Sequence, residues 1–396
     1  TLAIVNEKKL KIVYSKESET VALTLEDGKL PDAFQLIISY VGQVTSIKTF
    51  QDSTFGLFKT NYLDNVSGKS SNLVFATHNQ PFYAKKLLPV IDEVSFKAPI
   101  TLSITTLNRF RVVSNTKLLS KEPISMTEDA KFTFEETPAL PSHLFAFVVG
   151  DLEFIETQTS SKLPVRFYAP IGESGSALYA LEVAKRVIPV LSDLLKCPFP
   201  LPKMDFVALP FLSDHVMENW GLVTFNKLQI LRPETDEQTR LQIRRVIAHE
   251  LVHQWIGNLV SFDEWKYMWL NESFATWLGN FALVKAGLES EKDYFLETIE
   301  ETEQLMILDE TQPISIDRFM SIIPKEHTTK ISTEQLFHKE AYDKGLQIFK
   351  MIYSAMGPDS FFDALHSFIE KYKYTSIKGI ELWTEFIEKS KHDGLM

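Results

Sequence analysis

Two histidines four residues apart, His249 and His253, stand in the stretch RRVIAHELVHQWIGNL, in a chain that has only nine histidines. On an α-helix, residues i and i+4 lie above one another on one face, so both imidazoles can point at a single ion. Glu250 sits about 100° further round such a helix, placed to reach a water beside the ion rather than the ion itself. A catalytic zinc takes three protein ligands and keeps one position open for water. Glu272 can be the third, following His253 after 18 intervening residues. That distance lets the first helix end near Gly257-Asn258, a connection cross, and a second helix present a carboxylate. Asn271 beside it reads as the N-cap of that second helix. The competing reading, core histidines satisfied by carbonyls, is outweighed by the downstream glutamate in its helical context. Two imidazoles and a carboxylate suit one Zn²⁺ per chain, an ion without redox chemistry.

Such a constellation needs helices, and the second part of the chain supplies them. SALYALEVAKRVIPVLSDLLK has apolar residues at helical spacing. From Glu237 onward the pattern predicts helices over about 237–257, 271–287, 291–307, 339–356, 359–372 and 380–390, with breaks at TQPIS (311–315) and MGP (356–358). Residues 1 to about 157 read instead as short strands: KLKIVYS, ESETVALTL, FQLIISYVG, NLVFATH, ITLSITT and HLFAFVVGDLEFIE. The expected organisation is a β domain over 1–157 and an α-rich domain over 158–396. No internal repeat or low-complexity segment interrupts it.

Composition narrows the class. At 396 residues, 44 % hydrophobic and 23 % charged, the chain has ordinary globular usage and room for two domains. A net charge of −11 argues against direct nucleic-acid binding, which needs basic patches. The single cysteine, Cys197, allows no intrachain disulfide and fits the cytoplasm. One glycosylation signal, Asn65-Val66-Ser67, is too short to outweigh that. No apolar run reaches the roughly 18 to 20 residues that span a bilayer.

HELVHQW followed by WLNESFATW resembles the M1 family of zinc aminopeptidases, the gluzincin group. VMENWGLVTF resembles the family's G-x-M-E-N-W-G exopeptidase motif, AYDKG its Tyr-x-Lys-Gly segment, and FATHNQPFYAKK a segment of its N-terminal domain. The resemblance covers nearly the whole chain and carries several motifs in order. It implies an α+β, multi-domain protein: an N-terminal all-β, saddle-like domain followed by a thermolysin-like, mainly helical catalytic domain. It further implies a fragment, because the family begins earlier and continues into a C-terminal domain.

Residue by residue, the resemblance implies that His249, His253 and Glu272 ligate zinc and that Glu250 is general base and then acid. Tyr342 would donate a hydrogen bond to the oxyanion. Glu218, with Gln80 where many members have a second glutamate, would hold the substrate's α-ammonium by charge-assisted hydrogen bonds. Met217 and Asn219 belong to the same substrate-binding segment; without the family, Met217 and Trp220 would be read as core. His215 and Val216 replace the usual Gly and Ala, where glycine lets backbone run beside the substrate. His78 replaces a usual glutamine. His215 is a tolerated change, a change of specificity or turnover, or, remotely, a fourth ligand.

The leading expectation is a zinc aminopeptidase acting on peptide or protein N-termini. A second is a weakly active or inactive relative that holds N-termini, for instance on nascent chains at the ribosome. A purely structural zinc is disfavoured by the open three-ligand set, and nothing selects epoxide hydrolysis, known in one branch of the family.

Overall fold

The strand Gly56–Leu63 shows the rule that builds the first part of the chain. Its residues alternate between buried and more exposed, as a pleated strand packed on one face requires. It pairs antiparallel with Ser71–His78, Gly56 opposite His78. The computed structural model describes residues 2–5, 8–25, 32–63, 71–234, 236–311 and 339–390. The signal at Asn65-Val66-Ser67 and most of the 311–315 break lie outside them. A five-stranded sheet runs in the order Arg111–Ser114, Phe147–Gly150, Ser71–His78, Gly56–Leu63, Thr45–Ser46. Two three-stranded sheets and two strand pairs complete this strand-rich region among the described residues.

A second five-stranded sheet follows in the order Leu152–Gln158, Pro164–Pro170, Met204–Leu209, Leu222–Asn226, Val216–Met217. Its three middle strands are parallel. Met204–Leu209 and Leu222–Asn226 are buried at every position, as strands covered on both faces must be. Helix α1 (Leu178–Leu194) makes the crossover between Pro164–Pro170 and Met204–Leu209. The short strand Val216–Met217 runs antiparallel along the edge. Leu152–Gln158, grouped with the first region by sequence pattern, pairs with Pro164–Pro170 along its whole length. Alternation reveals a strand but not the sheet it joins.

Six further long helices follow among the described residues: α2 (Glu237–His253), α3 (Met268–Lys285), α4 (Glu291–Thr311), α5 (Lys339–Met356), α6 (Pro358–Tyr372) and α7 (Gly379–Lys389). Asp236 caps α2, its carboxylate accepting from the Thr239 amide at 2.8 Å. The sequence pattern carried α2 to residue 257, but it ends at His253. Beyond it the Gln254 carbonyl accepts from the Trp220 indole at 3.1 Å, and Gly257 takes a left-handed φ of +112°. Asn271 is likewise not the N-cap expected of it. A 3₁₀ turn, Trp265–Tyr267, feeds α3 from Met268 onward and leaves Asn271 buried inside the helix.

One apolar core runs from Phe58 and Val74 of the first sheet, through Phe206 and Phe225 of the second, to Trp277 and Phe349 of the helices. Lys203 stitches the two sheets together at a buried point. Its ammonium donates to the carbonyls of Ser114 and Gly221 at 2.6 and 2.7 Å and lies 2.9 Å from Asp205. No helix among the described residues is long and apolar enough to cross a membrane.

Candidate functional site

Helices α2 and α3 pack against each other closely enough for their side chains to share one point, and a glycine permits it. A Cβ on Gly279 would stand 3.0 Å from the backbone nitrogen of His249. Glu272, Thr276 and Gly279 recur at helical spacing on the face of α3 that meets His249. The result is the cluster His249, His253 and Glu272, whose ligand atoms all lie within 4.8 Å of one another. Nε2 of His249 is 2.9 Å from Nε2 of His253 and 3.1 Å from Glu272 Oε2, while His253 Nε2 is 3.7 Å from Oε1.

A metal fits this geometry. Burial holds His249 down to about pKa 4 and lowers His253 as well, so both rings are neutral at pH 7. Thr276 fixes the tautomer of the first: its hydroxyl donates to the Glu272 carbonyl at 2.9 Å, so at 3.1 Å it accepts from His249 Nδ1–H. The lone pair of His249 then sits on Nε2, facing the second imidazole. That lone pair, 2.9 Å from His253 Nε2 and beside a carboxylate, can be taken by a proton on the second ring or by a cation between them, and the donor set suits zinc.

The neighbouring carboxylates reinforce that demand. Burial, then the charges of Glu218 and Glu272, push Glu250 well above the usual carboxylate range, and one of its oxygens is buried without a partner. Burial also raises Glu218 and Glu272. Acids crowded into low dielectric favour a bound cation or a proton. Tyr342, on α5, is half-buried, and burial followed by the charges of Glu272 and Glu218 raises its phenol. Another close approach brings it there. A Cβ on Gly345 would stand 2.2 Å from Ser273 Oγ, and that hydroxyl donates to the Tyr342 carbonyl at 3.0 Å.

The opposite side comes from the edge strand and the end of the first sheet. Glu218 is 7 % exposed, and its carboxylate accepts from Gln80 Nε2 at 3.1 Å. Its backbone carbonyl accepts from Asn258 Nδ2 at 2.9 Å. Gln254 ties this strand to α2, its side chain accepting from the Gly221 amide at 2.8 Å and donating to the Glu250 carbonyl at 3.1 Å. Beside Glu218 and Gln80 lies a cavity of about 30 Å³, walled by His143, Trp265, Met268 and Asn271. Met217 and Asn219 point into the interior: Met217 is fully buried, and Asn219 Nδ2 donates to Thr224 Oγ1 at 3.3 Å. Val216 is half-buried. His215 takes a left-handed φ of +68°, keeps its ring exposed 3.3 Å from Gln229 Nε2, and has no part in the metal cluster.

A model of the Peptidase family M1 domain matches residues 179–394, and one of the Peptidase M1 N-terminal domain matches residues 3–144. The chain belongs to peptidase family M1. This M1 chain is 36 % identical to Protein TMA108 of Saccharomyces cerevisiae over 88 % of its own length and 38 % of that protein. It is 32 % identical to Aminopeptidase M1-D of Oryza sativa subsp. japonica, covering 86 % of the chain and 38 % of the relative. Alanine/arginine aminopeptidase of Saccharomyces cerevisiae is 30 % identical over 86 % of the chain and 39 % of its own length. The M1 chain thus spans about two fifths of the length of the curated relatives it matches.

Sequence reasoning missed the residues that support the cluster: Thr276, Gly279, Gln254, Asn258 and Ser273. Thr276 and Gly279 were open to detection, lying four and seven residues after Glu272 on its own helical face. Gln254 and Asn258 carry no signal before the chain folds back on Glu218.

Proposed function

We propose that this chain carries the site of a zinc-dependent aminopeptidase, removing residues from peptide or protein N-termini. The observation that carries the reading is the convergence of His249, His253 and Glu272 with Glu250 and Glu218 around one point. His249, His253 and Glu272 would hold one zinc ion. Bound there, zinc supplies Lewis-acid polarisation of the scissile carbonyl and a lowered pKa for water. Glu250 takes a proton from the attacking water and returns it to the leaving amine, so the site ends each turnover in its starting state. Burial and the neighbouring charges of Glu218 and Glu272 raise its carboxyl, which favours taking up a proton. The Tyr342 phenol donates to the oxyanion and stays protonated, its pKa being raised. Glu218 accepts the α-ammonium, with Gln80 beside it at hydrogen-bond distance. The backbone of Val216–Glu218 would run beside the substrate along the sheet edge, with the Met217 side chain turned into the core. A cytoplasmic setting accords with the single cysteine.

The test uses the full-length protein with aminoacyl fluorogenic substrates, beside metal analysis. Glu250→Gln should keep one zinc and lower turnover by about 10²- to 10⁴-fold. Equal rates for the two zinc-loaded proteins reject the hydrolase.

One observation favours a second reading, in which the pocket holds N-termini, such as those of nascent chains, with little cutting. His215 stands in a left-handed backbone conformation at the place where the family has glycine. Partners captured undiminished by Glu218→Ala protein would exclude it.

A further inference from the structure

His78 ends its strand with its ring fully buried between the two regions of the chain. Nδ1 lies 3.0 Å from Thr54 Oγ1, and Nε2 lies 3.4 Å from Asp214 Oδ2, long for a hydrogen bond but within the carboxylate's field. Three contacts join Thr54 and Ser213, one of them the Thr54 amide donating to Ser213 Oγ at 3.4 Å. The Ser213 amide donates to Thr54 Oγ1 at 3.2 Å, and the two hydroxyls stand 2.8 Å apart. Ser213 Oγ in turn donates to Asp214 Oδ1 at 3.0 Å. The Ser213 amide donates to Thr54, whose hydroxyl can then donate to His78 Nδ1, while His78 Nε2, buried with no hydrogen-bond partner, faces the Asp214 carboxylate. Thr54 has no exposed surface, so no substrate can reach it as a nucleophile.

What this circuit holds is the approach to the amine site. Asp214 turns the chain, its carbonyl accepting from the Val216 amide at 2.8 Å, and the His215 carbonyl accepts from the Asn226 amide at 2.6 Å. Residues 212–217 are therefore pinned to the second sheet on one side and to Thr54 and His78 on the other. Two residues past His78, Gln80 reaches Glu218. One short stretch, His78–Gln80, thus grips the facing stretch at two points four residues apart.

We propose that His78 is a positioning residue for N-terminal amine recognition: bridging Thr54 and Asp214, it fixes the backbone of His215–Glu218 so that the Glu218 carboxylate meets the amine. The inference rests on the amine role given above to Glu218. A merely structural histidine would affect stability while leaving discrimination at the amine untouched.

The experiment measures binding of one peptide with a free and with an acetylated N-terminus to full-length, zinc-loaded protein carrying Glu250→Gln to stop turnover. Added His78→Ala should cut the preference for the free amine by about tenfold and leave affinity for the acetylated peptide and zinc content unchanged. His78→Gln, which can still accept from Thr54 and donate to Asp214, should keep most of the preference. Asp214→Asn removes only the carboxylate charge at a partly exposed side chain, so it tests the bridge even if His78→Ala does not fold. It should lower the preference in the same direction, and the double variant should be no worse than His78→Ala. An unchanged preference in His78→Ala or in Asp214→Asn overturns the positioning role alone. Absence of any preference in the parent protein removes the amine reading of Glu218, and this inference with it.

Discussion

The two sides of the site are built by different means. On one side, α2 and α3 carry every member of the metal cluster, locked at two contacts: Gly279 against the His249 backbone, and Thr276 on the His249 ring. On the other, Glu218 follows directly on the two-residue edge strand Val216–Met217 and takes its partners from Gln80, Gln254 and Asn258, up to 138 residues away along the chain. The helical side is local and periodic; the sheet side is an assembly of distant segments. A helical cluster tolerates strain elsewhere because its spacing comes from the helix itself. The sheet side depends on the registration of two regions, so damage between them should reach Glu218 before it reaches the histidines.

The largest effect should come from breaking that registration. Lys203→Ala leaves Asp205 and two carbonyls buried without their cation, and about 3–5 kcal/mol of stability should be lost in denaturant unfolding. At temperatures where the variant stays folded, zinc content should be that of the parent. Loss of zinc from a folded variant would erase the contrast between the two sides.

On the helical side, Thr276→Val deprives His249 Nδ1 of its acceptor and frees the ring's orientation. Zinc affinity, read by competition with a chromophoric chelator, should fall about 10- to 100-fold, while binding of a free N-terminus to zinc-saturated protein stays intact. Gly345→Ala would put a Cβ 2.2 Å from Ser273 Oγ and 2.9 Å from Trp269, forcing α5 away from α3. About 1–3 kcal/mol of stability should go, and because Tyr342 travels with α5, kcat should drop more than KM.

A pH-dependent difference sharpens the sheet side. Burial, with the charge of Lys97 adding to it, holds His143 down to about pKa 3 against an ordinary 6.5. Between those values the unfolded chain binds the proton and the folded chain does not. Stability from this group is therefore complete above pH 6.5 and declines as the pH falls toward 3, by at most about 1.4 kcal/mol per unit. The raised carboxylates of the site work in the opposite sense at acid pH. The measurement is accordingly a difference: urea unfolding of the parent minus that of His143→Phe, from pH 7 to 4. A parallel pair of curves would contradict the buried neutral ring.

Much of this was legible before folding. The helices over 339–356 and 359–372 follow from apolar spacing and the MGP break, and the structure has Lys339–Met356 and Pro358–Tyr372. The end of α2 was not legible: past His253 the Gly257 amide turns to the Val260 carbonyl, and the Gln254 carbonyl accepts from the indole of Trp220, 34 residues earlier. The place of Asn271 was missed for a similar reason. Its own sequence neighbours suggest a cap, but the turn at Trp265–Tyr267 had already started the helix.

The sequence by itself determined that His249 and His253 could share a metal, since i and i+4 on a helix meet whatever surrounds them. It also determined the succession of strand-rich and helix-rich parts, since period follows from local geometry. Only the tertiary structure decided that Thr276 orients His249, that Gly345 brings Tyr342 against α3, and that His78 and Gln80 face Asp214 and Glu218. Those pairings join segments whose separation along the chain carries no periodic trace. They exist because one apolar core closes over both sheets and the helices and leaves buried polar groups no solvent to turn to.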